Sequence, residues 1–387
     1  MKSLRKYIDK KKPLFQSGGK FAKLGSTFGA IETFLFTPNH TSKSGVHIHD
    51  AIDLKRTMTV VILALVPSIL FGSWNIGYQH GLAYGIERGI VENFIFGFLK
   101  LLPIIVVSYG VGLGIEFIAA QIRGHEVNEG FLVTGILIPL ILPVNIPLWM
   151  VALAVAFAVI FGKEIFGGTG YNIMNVALIA RAFLFFAYPS RMSGDAVWVY
   201  DLPNKVPVDG FTGATPLAQA AQGAVSKMAS VHDMFLGFIP GSIGETSTLA
   251  ILIGAAILIF TGIGSWKIML SVVMGTLTIG FLCNLFPLND YMAVPAYYHL
   301  VMGGFAFGTV FMATDPVTAS HTEKGKWIYG FMIGALVVMI RIFNPAYPEG
   351  MMLAILLMNV WAPLIDYFVV ESHIKRRMKR ANLKANT

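Results

Sequence analysis

The 387-residue chain has a single cysteine, Cys283, and it lies inside an apolar run. A disulfide framework and a cysteine-ligated metal cluster are both excluded. Charge is scarce too: 13% of residues are Asp, Glu, Lys or Arg, where soluble domains carry roughly 25%. The sequence shows no P-loop, catalytic triad or metal-ligand cluster, and nothing suited to bind NADH or an iron–sulfur cluster. The run "GVGLG" (110–114) sits inside an apolar stretch rather than after a strand, so it is no dinucleotide fingerprint. His47 and His49 are two apart, do not converge on a helix, and read as surface. Residues 1–56 are basic and mixed, without the early apolar core of a cleavable signal peptide.

What is present is oil. The chain is 55% hydrophobic, with 40 glycines and 18 methionines, and its mean hydropathy is +0.67. Small residues let membrane helices approach closely. Apolar runs of roughly 17–25 residues fall near 57–76, 98–120, 130–143, 147–163, 171–189, 244–262, 267–285, 296–313, 327–341 and 350–369. The expected fold is an all-α polytopic membrane protein with about ten spans, some short or broken. The third run ends at "LPVNIP" and reads as a half-helix or re-entrant segment.

Charge placement orders these spans. The net charge of +8 comes largely from the two ends, so it reads as topology rather than nucleic-acid binding. Both basic termini then lie inside, with "RGHEVNE" (123–129), "GKE" (162–164) and "HTEKGK" (321–326). "PVNIP" (143–147), "FPLNDYMAVP" (286–295), "NPAYPEG" (344–350) and the long loop 190–240 fall outside. The expected organisation is a cytoplasmic segment 1–56, a membrane half 57–189, the loop 190–240, a second half 241–370 and a basic tail 371–387. Five spans on each side of the loop suggest two inverted five-helix repeats. Phe161-Gly162…Thr169 faintly echoes Phe307-Gly308…Thr314, although not at equivalent spans. Residues 5–15 read either as a basic interfacial helix ending at Leu14 and Phe15 or as a solvated tail.

Several stretches carry candidate chemistry. In "VDGFTGATPLAQAAQ" (208–222), two turn dipeptides precede Thr215, which stands as N-cap ahead of Pro216 and a helix-forming run. The plain reading is an ordinary capped helix. The functional reading notes that free amides and the positive end of a helix suit a phosphate. "FGGTGYNIMN" (166–175) is a glycine-rich break between spans, with Asn172 and Asn175 expected three apart on one face of the next helix. Close packing explains such glycines equally well. Arg181, further along, is expected to pair structurally. Three acids, Glu116, Asp315 and Asp366, sit in or beside apolar runs, where ionisable groups are costly. Asp315 precedes Pro316, so the helix should break there and free carbonyls, with Thr314 and Thr318 adding hydroxyls. It either contributes to a cation site or caps the following turn. Glu116 and Asp366 lie near span ends, where an edge position is the cheaper explanation. Phe307 and Phe311 share a face and read as a constriction or simply as core.

Asp209-Gly210-Phe211-Thr212-Gly213-Ala214-Thr215 matches the pattern D-G-x-[ST]-G-A-T, at which a flavin transferase joins FMN to threonine. Further stretches are "GHEVNEGF" (124–131), "FGGTGYNIMNVAL" (166–178), "RAFLFFAYP" (181–189), "IPGSIGETSTLA" (239–250), "GGFAFGTVFMATDPVTAS" (303–320) and "NPAYPEGMMLAIL" (344–356). With them, the chain resembles the B subunit of sodium-translocating NADH:quinone oxidoreductases, from about residue 45 onward. The resemblance implies covalent FMN on Thr215 through a phosphoester, and a noncovalent riboflavin placed at Gly167, Gly168, Thr169, Gly170, Asn172 and Asn175. It also implies electron transfer to quinone coupled to Na+ export, with Asp315, Glu116 and Asp366 as candidate Na+ ligands. Implied partners are the other membrane and peripheral subunits, lipid and a flavin transferase. Such a chain is an enzyme subunit active only in its complex, in a bacterial inner membrane. Its sister, the D subunit of Rnf ferredoxin:NAD oxidoreductases, shares the threonine-linked FMN but typically lacks so long a basic N-terminal extension. A channel or secondary transporter without redox chemistry is the alternative that layout alone allows, and it has no use for a flavin anchor. An interaction scaffold would not need buried acids.

Overall fold

The computed structural model describes residues 54–385 apart from 124–129, 196, 202–210 and 345–346, together with 2–15, 19–21, 25, 28–29, 32, 36 and 44–45. The Asp209-Gly210 turn, His47, His49 and residues 124–129 of "GHEVNEGF" lie outside the described residues.

Among the described residues there is helix and no strand. The N-terminal helix α1 (Lys2–Lys11) precedes the membrane part. The first half comprises α2 (Leu54–Tyr84), α3 (Ile90–Arg123), α4 (Phe131–Leu140), α5 (Leu148–Val159) and α6 (Val176–Ala187). After the polar loop, which holds α7 (Pro216–Ala221) and α8 (Val231–Leu236), come α9 (Thr248–Phe260), α10 (Trp266–Leu285), α11 (Tyr298–Val301), α12 (Phe305–Phe307), α13 (Glu323–Phe343) and α14 (Met351–Ala385). Helices α2, α3, α10, α13 and α14 are long and apolar enough to cross a membrane; α4, α6 and α9 are shorter apolar helices. The chain is thus a polytopic all-α membrane protein, and every apolar run expected from sequence contains a helix.

Neighbour relations repeat between the halves. Helix α3 packs on α4 and α5, and α5 on α6; likewise α10 packs on the π-turn that follows α12 and on α13, and α13 on α14. Across the halves α2 meets α9 and α6 meets α14, first against first and last against last. The α10–α13 crossing shows how small residues permit this. A Cβ on Gly334 would stand 2.0 Å from the carbonyl oxygen of Val272, and one on Gly275 would stand 2.2 Å from that of Phe331. Backbones this close also let Thr276 donate to the Gly334 carbonyl at 3.1 Å.

The short helices stop for identifiable reasons. Helix α4 carries Pro139 in its last turn, where the Gly135 carbonyl it leaves accepts the Ser108 hydroxyl at 2.9 Å, and the carbonyls of Leu140 and Leu142 at and beyond the helix end accept the amides of Gly244 and Ile243 at 2.7 and 3.3 Å. Irregular backbone at membrane depth requires such partners. Helices α5 and α12 each run on into a π-turn, Ile160–Glu164 and Gly308–Met312. These are the two places where the sequence echo begins, so the echo marks a shared backbone device rather than equivalent spans. Lys163 and Glu164 of "GKE" lie in the first of these π-turns and are buried. Helix α14 runs on through the basic segment to Ala385, with no glycine after Gly350 and no proline after Pro363 to stop it.

Candidate functional site

Thr215 is the N-cap of α7, its hydroxyl accepting from the Ala218 amide at 3.2 Å, with Pro216 in the first turn. The helix is six residues long, so its dipole is small and the expected dipole argument carries little. The surroundings carry more. Thr212 turns the chain by accepting the Ala214 amide at 3.1 Å. Gly213 lies against the Asp195 carbonyl, where a Cβ would stand 2.1 Å from the oxygen. The earlier part of the loop is tied down by Asn145, which donates to the Val199 carbonyl at 2.8 Å and accepts from the Asp201 amide at 3.1 Å. Thr212 and Gly213, with Asn145, therefore fix the described part of the loop where Thr215 lines a cavity.

That cavity, about 730 Å³ with its mouth, is lined by Thr215 and Leu217, by Arg181 and Phe185 of α6, and by Trp198, Glu245, Thr246, Tyr347 and Glu349 from the loops. Its floor holds buried charge. Arg181 donates to Glu245 at 2.5 Å and to Ser242 at 3.3 Å, with Glu349 at 3.5 Å. Glu349 also accepts the Gly304 amide at 2.8 Å. Only glycine fits at 304, since a Cβ would lie 2.6 Å from an oxygen of Glu245 and 2.6 Å from one of Glu349. Behind them Arg341, fully buried, donates to the carbonyls of Glu349, His299 and Met302 at 3.1, 2.9 and 2.9 Å. Two hydroxyls in the cavity wall, Thr246 Oγ1 and Tyr347 Oη, are buried without a hydrogen-bond partner.

A second cavity, about 800 Å³ with its mouth, lies at the other end of α6 and is lined by Thr169, Asn172, Asn175, Lys163, Asp315 and Phe311 among others. Residues 140 apart in sequence meet here: Asn175 Nδ2 donates to Asp315 Oδ2 at 3.2 Å. The two asparagines do not share a helix face as expected. Asn175 is the N-cap of α6, accepting from the Ala177 and Leu178 amides, while Asn172 lies in the loop before it and donates to the Met174 carbonyl. Gly167, Gly168 and Gly170 have positive φ of 123°, 98° and 90° and turn this loop.

The three candidate acids separate. Asp315 faces this cavity and also caps its own turn, accepting from the Val317 amide at 3.1 Å and the Thr318 hydroxyl at 3.0 Å. Glu116 is not left to solvent. It is buried and paired with Lys163, whose side chain lines the cavity, because the π-turn in the FGKE stretch aims that lysine inward. Asp366 holds the loop before α13, accepting from Ser320, Thr322 and the amides of His321 and Thr322 at 2.6–3.0 Å. Phe307 and Phe311 are both buried, with ring centroids 4.9 Å apart. Arg181 is paired, as expected. Lys163, Glu245, Glu349 and Arg341 were not anticipated from the sequence. The rule that singles out lone charges in apolar surroundings would have found Glu245 in "GSIGETSTLA" and Arg341 in "VVMIRIF".

A family model described as NQR2, RnfD, RnfE matches residues 41–375. A relative from Chromohalobacter salexigens, named as the B subunit of a Na(+)-translocating NADH-quinone reductase, is 49% identical over 97% of this chain and 96% of its own length. Relatives of the same name from Ectopseudomonas mendocina and Stutzerimonas stutzeri are each 48% identical over 97% of this chain and 99% of their own. With matches of this extent, the chain belongs to the NQR2, RnfD, RnfE family.

Proposed function

We propose that this chain is the flavin-carrying membrane subunit of a sodium-pumping NADH:quinone reductase, bearing FMN by a phosphoester on Thr215. The relatives named as B subunits of Na(+)-translocating NADH-quinone reductases, matched over nearly the full length of both chains, favour this over the Rnf branch of the same family. The observation that carries the flavin is the cavity at whose lip Thr215 stands. It has aromatic walls at Phe185, Trp198 and Tyr347, a guanidinium, and two buried hydroxyls without partners. An apolar pocket with a few convergent polar groups suits a planar ring bearing carbonyls and ring nitrogens. Bound there, the flavin would supply one- and two-electron chemistry; the protein supplies placement and electrostatics. Thr215 would hold the phosphate, and Thr246, Tyr347 and Arg181 would orient the ring.

The second cavity is the proposed place of a noncovalent riboflavin, held by Thr169, Asn172 and Asn175 on the loop turned by Gly167, Gly168 and Gly170. Electrons would pass from FMN through riboflavin to quinone, coupled to Na+ export. Of the three acids, Asp315 is the best placed to meet Na+, since it lines a cavity and, among the described residues, has no cationic side chain bonded to it. Glu116 is committed to Lys163 and Asp366 to a loop. Riboflavin, quinone, the other subunits, lipid and a flavin transferase are the partners this reading requires.

Thr215→Ala tests the anchor. The denatured chain should lose both its ultraviolet flavin fluorescence and the mass of one esterified FMN, while Thr212→Ala, which removes a turn contact within the motif but leaves the Thr215 hydroxyl, should keep both. A Thr215→Ala chain that still fluoresces after denaturation overturns the assignment.

A further inference from the structure

The charges beneath the Thr215 cavity balance. Arg181 pairs with Glu245 and Glu349, and Arg341 lies behind them on the Glu349 main chain, so the formal charges cancel. The two arginines are used differently. Arg341 gives Nε and both terminal nitrogens to main-chain carbonyls. Arg181 makes three polar contacts, all to side chains, and its guanidinium lines the cavity. A guanidinium has five N–H donors, so this one retains hydrogen-bonding capacity toward a ligand. A purely structural ion pair is a poor account of the arrangement. Buried pairs stabilise little beyond what apolar side chains of the same volume would, and this one leaves Thr246 Oγ1 and Tyr347 Oη unpaired in the same wall.

We infer that Arg181 is a positioning and charge-compensating residue for the redox ring held in this cavity, delivered there by Glu245 and Glu349. The inference rests on the reading of Thr215 as the flavin-bearing residue. One electron, supplied from NADH through the reductase complex, adds one negative charge to the ring when no proton follows it; no bond breaks. In a site removed from bulk water that charge is costly unless a cation lies within a few ångström. Arg181 is that cation. Glu245 and Glu349 hold its fork against Ser242 and, by opposing its charge, keep the cavity from favouring reduction too strongly. Gly304 makes room for both carboxylates, so the three-sided clamp depends on glycine at that position.

The test is the midpoint potential of the covalent flavin, read by its absorbance in a redox titration of the full chain purified in detergent. Arg181→Gln should lower the equilibrium constant for the first electron at least tenfold, which is about 59 mV for a one-electron step. Glu245→Gln should shift it in the opposite direction. The double variant restores a net charge of zero but leaves no cation against the ring, so it should lie between Arg181→Gln and the parent, as should Arg181→Lys. A merely structural role moves none of these potentials, or moves both single variants the same way, and either result overturns the inference. If Arg181→Gln fails to fold, Glu245→Gln, Arg181→Lys and the double variant still decide it. A parent chain without covalent flavin overturns the Thr215 reading and this one with it; a flavin-bearing chain with unmoved potentials overturns this one alone.

Discussion

Asp315 divides its two carboxylate oxygens among three donors: the Val317 amide, the Thr318 hydroxyl and the Asn175 amide. Two of these belong to its own turn, and any short polar side chain in this position would make similar bonds. The third comes from the cap of α6 and leaves the carboxylate facing a cavity, and there the charge matters. Asp315→Asn preserves the shape and removes the charge. On the proposed reading, the Na+ concentration needed for half-maximal quinone reduction by the purified complex should rise at least tenfold, about 1.4 kcal/mol, while the content of the proposed flavins stays unchanged. An unchanged Na+ requirement would make Asp315 a turn cap and nothing more. The residue itself was legible in sequence, because a lone acid before a proline in an apolar run has few bland explanations. Its partner was not: Asn175 is 140 positions away and was expected on a helix face when it is a cap. The same distance hid the pair Arg181–Glu245, 64 apart, and Lys163–Glu116, 47 apart. A sequence displays charges singly, and a buried charge acquires its meaning from a partner that only the fold supplies.

Among the elements, the long spans were readable because composition alone decides them: lipid offers a helix no competing hydrogen bonds, so apolar length becomes structure. The breaks were readable where proline or a glycine cluster marked them, as in α4, after the π-turn that ends before Asp315, and at Gly167–Gly170. The π-turns themselves were not foreseen, although the Phe-Gly echo in the sequence falls where both of them begin. The α10–α13 crossing supplies an element-scale prediction. Gly330 and Gly334 are four apart and face Ser271 and Val272 one turn before Gly275, so two backbones touch along one turn. Gly334→Leu should destabilise the chain by about 1–3 kcal/mol through overpacking, seen as a lower thermal midpoint in detergent. Gly110→Leu is the control, because a Cβ at that exposed α3 position meets nothing within 4 Å. Equal midpoints for the two variants would mean that the crossing tolerates separation.

For the whole molecule, α6 and the stretch around α12 and its π-turn are joined at two places. At one end Asn175, capping α6, bonds to Asp315 beyond the π-turn that extends α12; at the other, Arg181 of α6 meets Glu349, which holds the amide of Gly304 just before α12. One cavity opens at each joint, so the proposed flavin and ion sites share a single stiff frame rather than separate domains. The N-terminal segment stands apart from that frame. The family match begins at residue 41, whereas the relatives named as quinone reductase subunits align over 97% of the chain. Residues 1–40 therefore belong to the part that is not common to the whole family. Helix α1 carries Arg5 and, with Lys12 after it, pairs with Glu32 at about 3 Å, while Phe15 stacks on Phe28 at 4.4 Å. A basic helix followed by an aromatic cluster suits the membrane interface, which is where a lipid-soluble quinone arrives. Deleting residues 1–40 should lower quinone reduction by the complex at least tenfold, yet leave NADH oxidation by a water-soluble artificial acceptor within twofold. If both activities fall together, the segment serves assembly, and the quinone site must be sought among the spans.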